Sequence, residues 1–254
     1  MMPGPTGGRD RAYLGALLAL CLLFFTPVIV GAGNFWEDLI FLEFPARVFS
    51  RDSFLSLRFP HWNPYAFNGT PFFASVSSGV LYPFNLFLSF LPVSNDALWY
   101  LIQVNIVGHF FLAGTCMYAY MRYREASRPG AAFAALGYML SGFLVTHIIH
   151  PMMLYVLAWM PLTILFLEKG IRGGKTNHLL IAGTILGISS LAGHPQISLY
   201  EFLFLAAYAF FLWFGRPDRT HRSWPLPLLP FLVALGLALV MILPAWELSN
   251  NSSR

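Results

Sequence analysis

The stretch AYLGALLALCLLFFTPVIVG, residues 12–31, decides the class of this protein. It carries no charged side chain, and at about 1.5 Å per helical residue it spans about 30 Å, the thickness of a bilayer's hydrocarbon core. Arg9 and Arg11 precede it, as basic residues precede a secretory signal. A signal core is only about 7–15 residues long. This run is longer and further apolar runs follow, so it reads as an uncleaved first membrane helix.

The rest of the chain agrees. Of 254 residues 57% are hydrophobic and only 10% charged, against about 25% charged in a soluble domain. That leaves too few charges to clothe a water-facing surface of this size. Aromatic residues reach 17%, which suits lipid-facing helices and interfacial belts. The net charge of +4 is not gathered into one patch, so nucleic acid is excluded as a partner and the lipid bilayer is implied. Cys21 and Cys116 both fall inside apolar runs, where a thiol behaves as a small hydrophobe.

Apolar runs long enough to cross lie near residues 12–32, 97–120, 131–149, 152–168, 178–194, 196–214 and 225–246. A further run, 80–92, is too short and contains Pro83. Basic residues decide whether it crosses. If it does not, Arg9 and Arg11, Arg122, Arg124 and Arg128, Lys169, Arg172 and Lys175, and Arg216, Arg219 and Arg222 share one side. By the positive-inside rule that side is cytoplasmic. The expected fold is an all-α integral membrane protein of about seven transmembrane helices, one multi-span domain over 1–254. Its N-terminus is cytoplasmic, and residues 33–96 form a long first extracytoplasmic loop. Within that loop Pro45 can open a helix, Phe49 and Phe54 are placed to dip into lipid, and 80–92 reads as an interfacial or re-entrant piece that must be buried against protein. Small-residue pairs, Gly183 with Gly187 and Gly137 with Ser141, predict close helix contacts.

Sorting polar residues by side places Glu37, Asp38, Glu43, Asp52, Asp96 and Glu247 outside, Glu201 near the outer end of its span, and His61, His147, His150 and His194 at the outer face. Glu37 and Asp38 follow the first span and could bind a divalent cation or supply a general base; a solvated loop start is the plainer reading. Glu43, Arg47 and Arg51 are spaced four apart and would form a surface ion-pair stripe of only about 0.5 kcal/mol per pair. In the sharper reading Arg47, Arg51 and Arg58 make a phosphate site at the headgroup level. Glu201 lies inside a span near its outer end and either faces a polar cavity or another helix, or snorkels outward. His147 and His150 share a face, but a metal site needs further ligands that no spacing supplies. Asn105 and His109 predict interhelical hydrogen bonds. Nucleotide and protease motifs are absent.

The loop's wording is more specific than its composition. Asp38-Leu-Ile-Phe-Leu-Glu-Phe-Pro45 is followed by Pro60-His-Trp-Asn-Pro64, Gly69-Thr-Pro71-Phe72 and Gly79-Val-Leu-Tyr-Pro83-Phe-Asn85. Gly193-His-Pro-Gln196 and Leu243-Pro-Ala-Trp-Glu-Leu248 come later. In order, and over nearly the whole chain, this series resembles the bacterial YfhO family of membrane proteins. That family is similar to the GT-C class of membrane glycosyltransferases, which take sugar from a polyprenyl-phosphate carrier at the outer face. The resemblance implies a lipid-linked sugar donor, a cell-envelope polymer or protein as acceptor, and residence in the bacterial cytoplasmic membrane. It implies that Asp38 is catalytic with Glu37 beside it, the two also holding a divalent cation, Mg or Mn. Arg47, Arg51, Arg58, Trp62, Asn63, His194, Gln196 and Glu201 are the expected substrate-binding residues. Family members are typically longer, so the chain is expected to be an N-terminal portion. A transporter or flippase of lipid-linked sugar, using the same outer cavity without bond chemistry, and a non-catalytic membrane scaffold are the rival expectations.

Overall fold

The computed structural model describes residues 7–215 and 226–252; Arg216, Arg219, Arg222 and Arg254 lie outside them. The described residues are helical, with a single antiparallel bridge between Asn63 and Thr70. The first apolar run forms α1 (Gly8–Phe24) and, after a break at Phe25, the single turn α2 (Thr26–Ile29). Pro27 causes the break, because it cannot donate to the carbonyl of Leu23. Thr26 Oγ1 donates there instead, at 2.8 Å. The loop holds α3 (Phe44–Leu55) and α4 (Pro83–Ser89), each opened by a proline in its first turn. Then come α5 (Asn95–Tyr123), α6 (Arg128–Met139), α7 (Gly142–Thr146), α8 (Pro151–Leu157), α9 (Met160–Gly173), α10 (Thr176–Ser190), α11 (Pro195–Phe214) and α12 (Leu229–Asn250).

Among the described residues five helical stretches are long and apolar enough to cross a membrane: Asn95–Tyr123, Arg128–Thr146, Pro151–Gly173, Pro195–Phe214 and Leu226–Asn250. The other two expected spans are shorter. The first is 17 residues before its break and α10 is 15, so helix length identifies five spans rather than seven. Two of the five are jointed, and the backbone groups freed at one joint are satisfied. Pro161 cannot bond back to the carbonyl of Leu157, and Tyr138 Oη donates to that carbonyl at 2.7 Å. The run 80–92 folds as expected for a segment that stops short. Its helix α4 has seven residues, about 10 Å, and Val80, Tyr82, Asn85, Leu88 and Ser89 are buried.

One of the two small-residue pairs packs as anticipated. A Cβ on Gly183 would lie 2.5 Å from the carbonyl oxygen of Pro230, and one on Gly187 2.7 Å from Leu237, so both glycines let α10 approach α12. The other pair does not. Gly137 faces open space, and Ser141 caps α7 by accepting from the Leu144 amide. The close approach of α5 to α6 is made instead by Gly114 against Met139. Aromatic side chains of α6, α11 and α12, among them Phe133, Phe211 and Trp246, are exposed as lipid-facing residues would be.

Candidate functional site

Glu37 and Asp38 are held in place from behind. Asn34 Oδ1 accepts from Trp99 Nε1 and from Gln103 Nε2, both at 2.9 Å. Gln103 Oε1 in turn accepts from the Phe35 amide at 2.8 Å. These bonds pin the segment before the carboxylates to α5. Immediately after them Leu39 is fully buried and opens a π-helical turn, Leu39–Glu43. Between the two anchors Glu37 takes a positive φ of 57°, a strained conformation for a residue with a side chain. Asp38 is thereby presented, about half exposed, with Oδ2 3.1 Å from His150 Nδ1. His147 lies beside His150, their ring centres 6.5 Å apart.

Arg47 and Arg51 do not form the expected surface stripe. Arg47 is 1% exposed, and its Nε lies 3.1 Å from Glu43, itself 5% exposed. Its Nη2 donates to the carbonyl of Ser78. Arg51 donates to the Val93 carbonyl at 3.0 Å, to Asn95 Oδ1 at 2.7 Å and to Asp52 Oδ1 at 2.8 Å. The reason is tertiary: α3 packs against α4 and α5 and is covered by residues 76–79, so both guanidiniums meet protein acceptors. Phe49 and Phe54 likewise turn to the loop rather than to lipid, Phe49 against Phe72 and Phe54 against Phe90, each at 5.0 Å between centroids.

Arg58, Trp62 and Asn63 do come together. With Asp52, Tyr65 and Asn95 they line an open groove of about 670 Å³ on the loop; neither Glu37 nor Asp38 lines it. The motif pair supplying Trp62 and Asn63 is also a structural unit. The Asn63–Thr70 bridge closes with bonds of 2.8 and 2.9 Å, Asn63 Oδ1 accepts from the Tyr65 amide, and the Trp62 ring covers the bare Cα of Gly69, which has φ +110°.

The two remaining glycine motifs are each other's packing partners. A Cβ on Gly79 would stand 2.8 Å from the Ala192 carbonyl, and one on Gly193, at φ +97°, 3.0 Å from the Val76 carbonyl. Asn85 Nδ2 donates to the Gly79 carbonyl. In the turn before α11, His194 Nδ1 accepts from the Ile197 amide at 3.2 Å, as an N-cap. Burial and the neighbouring His150 and His147 hold this imidazole below its ordinary value, against a backbone hydrogen bond that raises it. Gln196 bonds Tyr200 on the exposed face of the same helix. Glu201 turns to a neighbouring helix rather than to the interface. It is 3% exposed and one oxygen accepts from Ser189 on α10 at 3.3 Å, the other having no hydrogen-bond partner among the described residues.

Reading the sequence span by span picked out Asn105 and His109 but missed what they join. Trp159 Nε1 donates to Tyr82 Oη at 2.9 Å, and Tyr82 Oη lies 2.7 Å from His109 Nε2. His109 Nδ1 lies 2.7 Å from the Asn105 carbonyl, and Asn105 Nδ2 donates to Tyr155 Oη. With Trp159 as donor, this becomes a directed chain in which Tyr82 donates to His109, and His109 to the carbonyl. It ties the loop, α5, α8 and the start of α9 into one buried polar network. The proline after Tyr82 was the available signal, since it fixes where α4 starts.

The donor set around Asp38 does not make a dedicated metal cage: among the described residues no group of three or more His, Cys, Asp or Glu side chains could share an ion. A loop-capped bundle whose long apolar helices leave aromatic side chains exposed defines a multi-pass α-helical membrane protein. The family model for "Bacterial membrane protein YfhO" matches residues 68–253, and the chain belongs to that family. The match begins after Asp38 and the arginines of α3. No curated protein and no solved structure matches the chain significantly.

Proposed function

We propose that the protein is a glycosyltransferase that uses a polyprenyl-phosphate sugar at the outer face of the bacterial cytoplasmic membrane, its N-terminus inside, with a cell-envelope polymer or protein as acceptor. The observation that carries this reading is the accessible Asp38 carboxylate, fixed between two anchors and paired at 3.1 Å with His150. An imidazole at that distance borders one carboxylate oxygen and leaves the other for a substrate hydroxyl. Asp38 takes the acceptor's proton, the acceptor oxygen bonds to the anomeric carbon, and the sugar–phosphate bond breaks with its electron pair going to the phosphate. Asp38 and Glu37 supply too few ligands to hold a metal ion by themselves. The groove with Arg58, Trp62 and Asn63 takes the sugar or anionic part of a ligand, by aromatic contact and guanidinium pairing.

The test is sugar transfer by membranes carrying the chain, or the longest frame that contains it, at matched abundance. Asp38→Asn is expected to lower kcat by about 10²–10⁴, the usual worth of a general base, and Trp62→Ala to raise KM with kcat kept. Unchanged transfer in the Asp38→Asn protein removes Asp38 from the chemistry. Binding of lipid-linked sugar without transfer by either form moves the transporter reading ahead.

A further inference from the structure

At the end of the bundle where α1 begins, three helices meet around Asp10. This carboxylate is 2% exposed, and its Oδ1 is approached by Tyr118 Oη at 2.8 Å, Arg122 Nε at 3.1 Å and Arg128 Nε at 3.2 Å. That cluster joins α1, α5 and α6, and it leaves a surplus of positive charge. Three guanidiniums, those of Arg9, Arg122 and Arg128, line one open cleft of about 610 Å³, with Tyr13 and Ser127 on its walls. Asp10 neutralises one of the three. Arg9 is exposed and makes no hydrogen bond or ion pair among the described residues. The terminal nitrogens of Arg128 have no hydrogen-bond partner among the described residues, and its side chain is 36% exposed.

We propose that this cleft binds the phosphodiester headgroup of an anionic phospholipid. The charge is right: two surplus positive charges, with the N-termini of α1 and α6 adding partial positive charge at the same end. The C-terminus of α5 opposes them, but its carbonyls at Tyr120, Met121 and Arg122 already accept from the amides of Arg124, Ala126 and Glu125. What selects a lipid over a free anion is the surface below the cleft. One turn into α6 Phe133 is 80% exposed, and along α1 Leu20 and Leu23, on the side of the helix that carries Arg9 and Tyr13, are exposed. A headgroup held by the arginines therefore has its acyl chains lying on a bare apolar face of the same two helices. The site is independent of the chemistry proposed for Asp38, which lies beyond the other end of α1.

The purified full chain in a neutral detergent tests this, by native mass spectrometry and thermal unfolding with added phosphatidylglycerol, phosphatidylcholine or inorganic phosphate. Phosphatidylglycerol should bind and raise Tm, while phosphatidylcholine and inorganic phosphate at the same concentration should not. Arg9→Gln, which leaves the Asp10 cluster intact, should keep the lipid-free Tm and weaken phosphatidylglycerol binding about fivefold, corresponding to ~1 kcal/mol per basic side chain at a membrane surface. Equal binding of phosphatidylcholine overturns the proposal, as does unchanged binding by Arg9→Gln. Binding of inorganic phosphate as tight as that of the lipid makes the cleft a small-anion site and overturns the lipid assignment.

Discussion

Replacing Arg47 by methionine separates two accounts of the arginines in the loop. If Arg47 serves a ligand phosphate, its loss should spare the fold and weaken binding. The structure argues the reverse. Arg47 is 1% exposed, its Nε is 3.1 Å from Glu43, and Glu43 is 5% exposed with this guanidinium as its ion-pair partner. Methionine fills a similar volume but leaves a buried carboxylate uncompensated. Breaking one side of a buried pair costs about 3–5 kcal/mol, and the Ser78 carbonyl loses its donor for roughly another 1 kcal/mol. For a chain of this size each kcal/mol moves Tm by about 2–4 °C, so Arg47→Met should lower it by roughly 8–24 °C. The double change Glu43→Leu with Arg47→Met removes both charges and should recover most of that loss, because apolar replacement of a whole buried pair is often neutral. Intrinsic tryptophan fluorescence during heating in detergent reads both, and the cycle isolates the pair. A single variant that melts within a degree or two of the parent, or a double variant no better than the single, refutes the reasoning.

Two further predictions concern packing and pH. Gly183→Ala places a Cβ 2.5 Å from a backbone oxygen that cannot move aside, so α10 and α12 must separate, at about 1–3 kcal/mol; Gly137→Ala, facing open space, should be neutral or slightly stabilising, and thermal unfolding of the two variants tests the contrast. His194, held below its ordinary 6.5 mainly by burial, binds fewer protons folded than unfolded. Its contribution is therefore complete above about pH 6.5 and is lost as pH falls below that value. His194→Asn keeps a cap acceptor and should flatten this part of the stability profile; an unchanged slope refutes the assignment to His194.

The sequence by itself determined that this is a multi-pass helical membrane protein, because a bilayer imposes one length and one composition on anything that crosses it, and residues 97–120 and 196–214 meet both. It also placed the contact of Gly183 and Gly187, since two small residues four apart on an apolar helix offer a neighbour little but bare backbone. Gly137 and Ser141 show the limit of that rule: Gly137 faces open space, and Ser141 falls in the break between α6 and α7. The loop was where sequence alone failed. Glu43, Arg47 and Arg51 have the spacing of a solvated stripe, and only the tertiary fold puts Ser78, Val93 and Asn95 against them. Trp62 and Asn63 were legible as special, yet Gly69 beneath the indole explains much of that. Asp38 could be singled out as a carboxylate after a span, but not its partner His150, 112 positions away, because such pairings depend on where separate helices end in space.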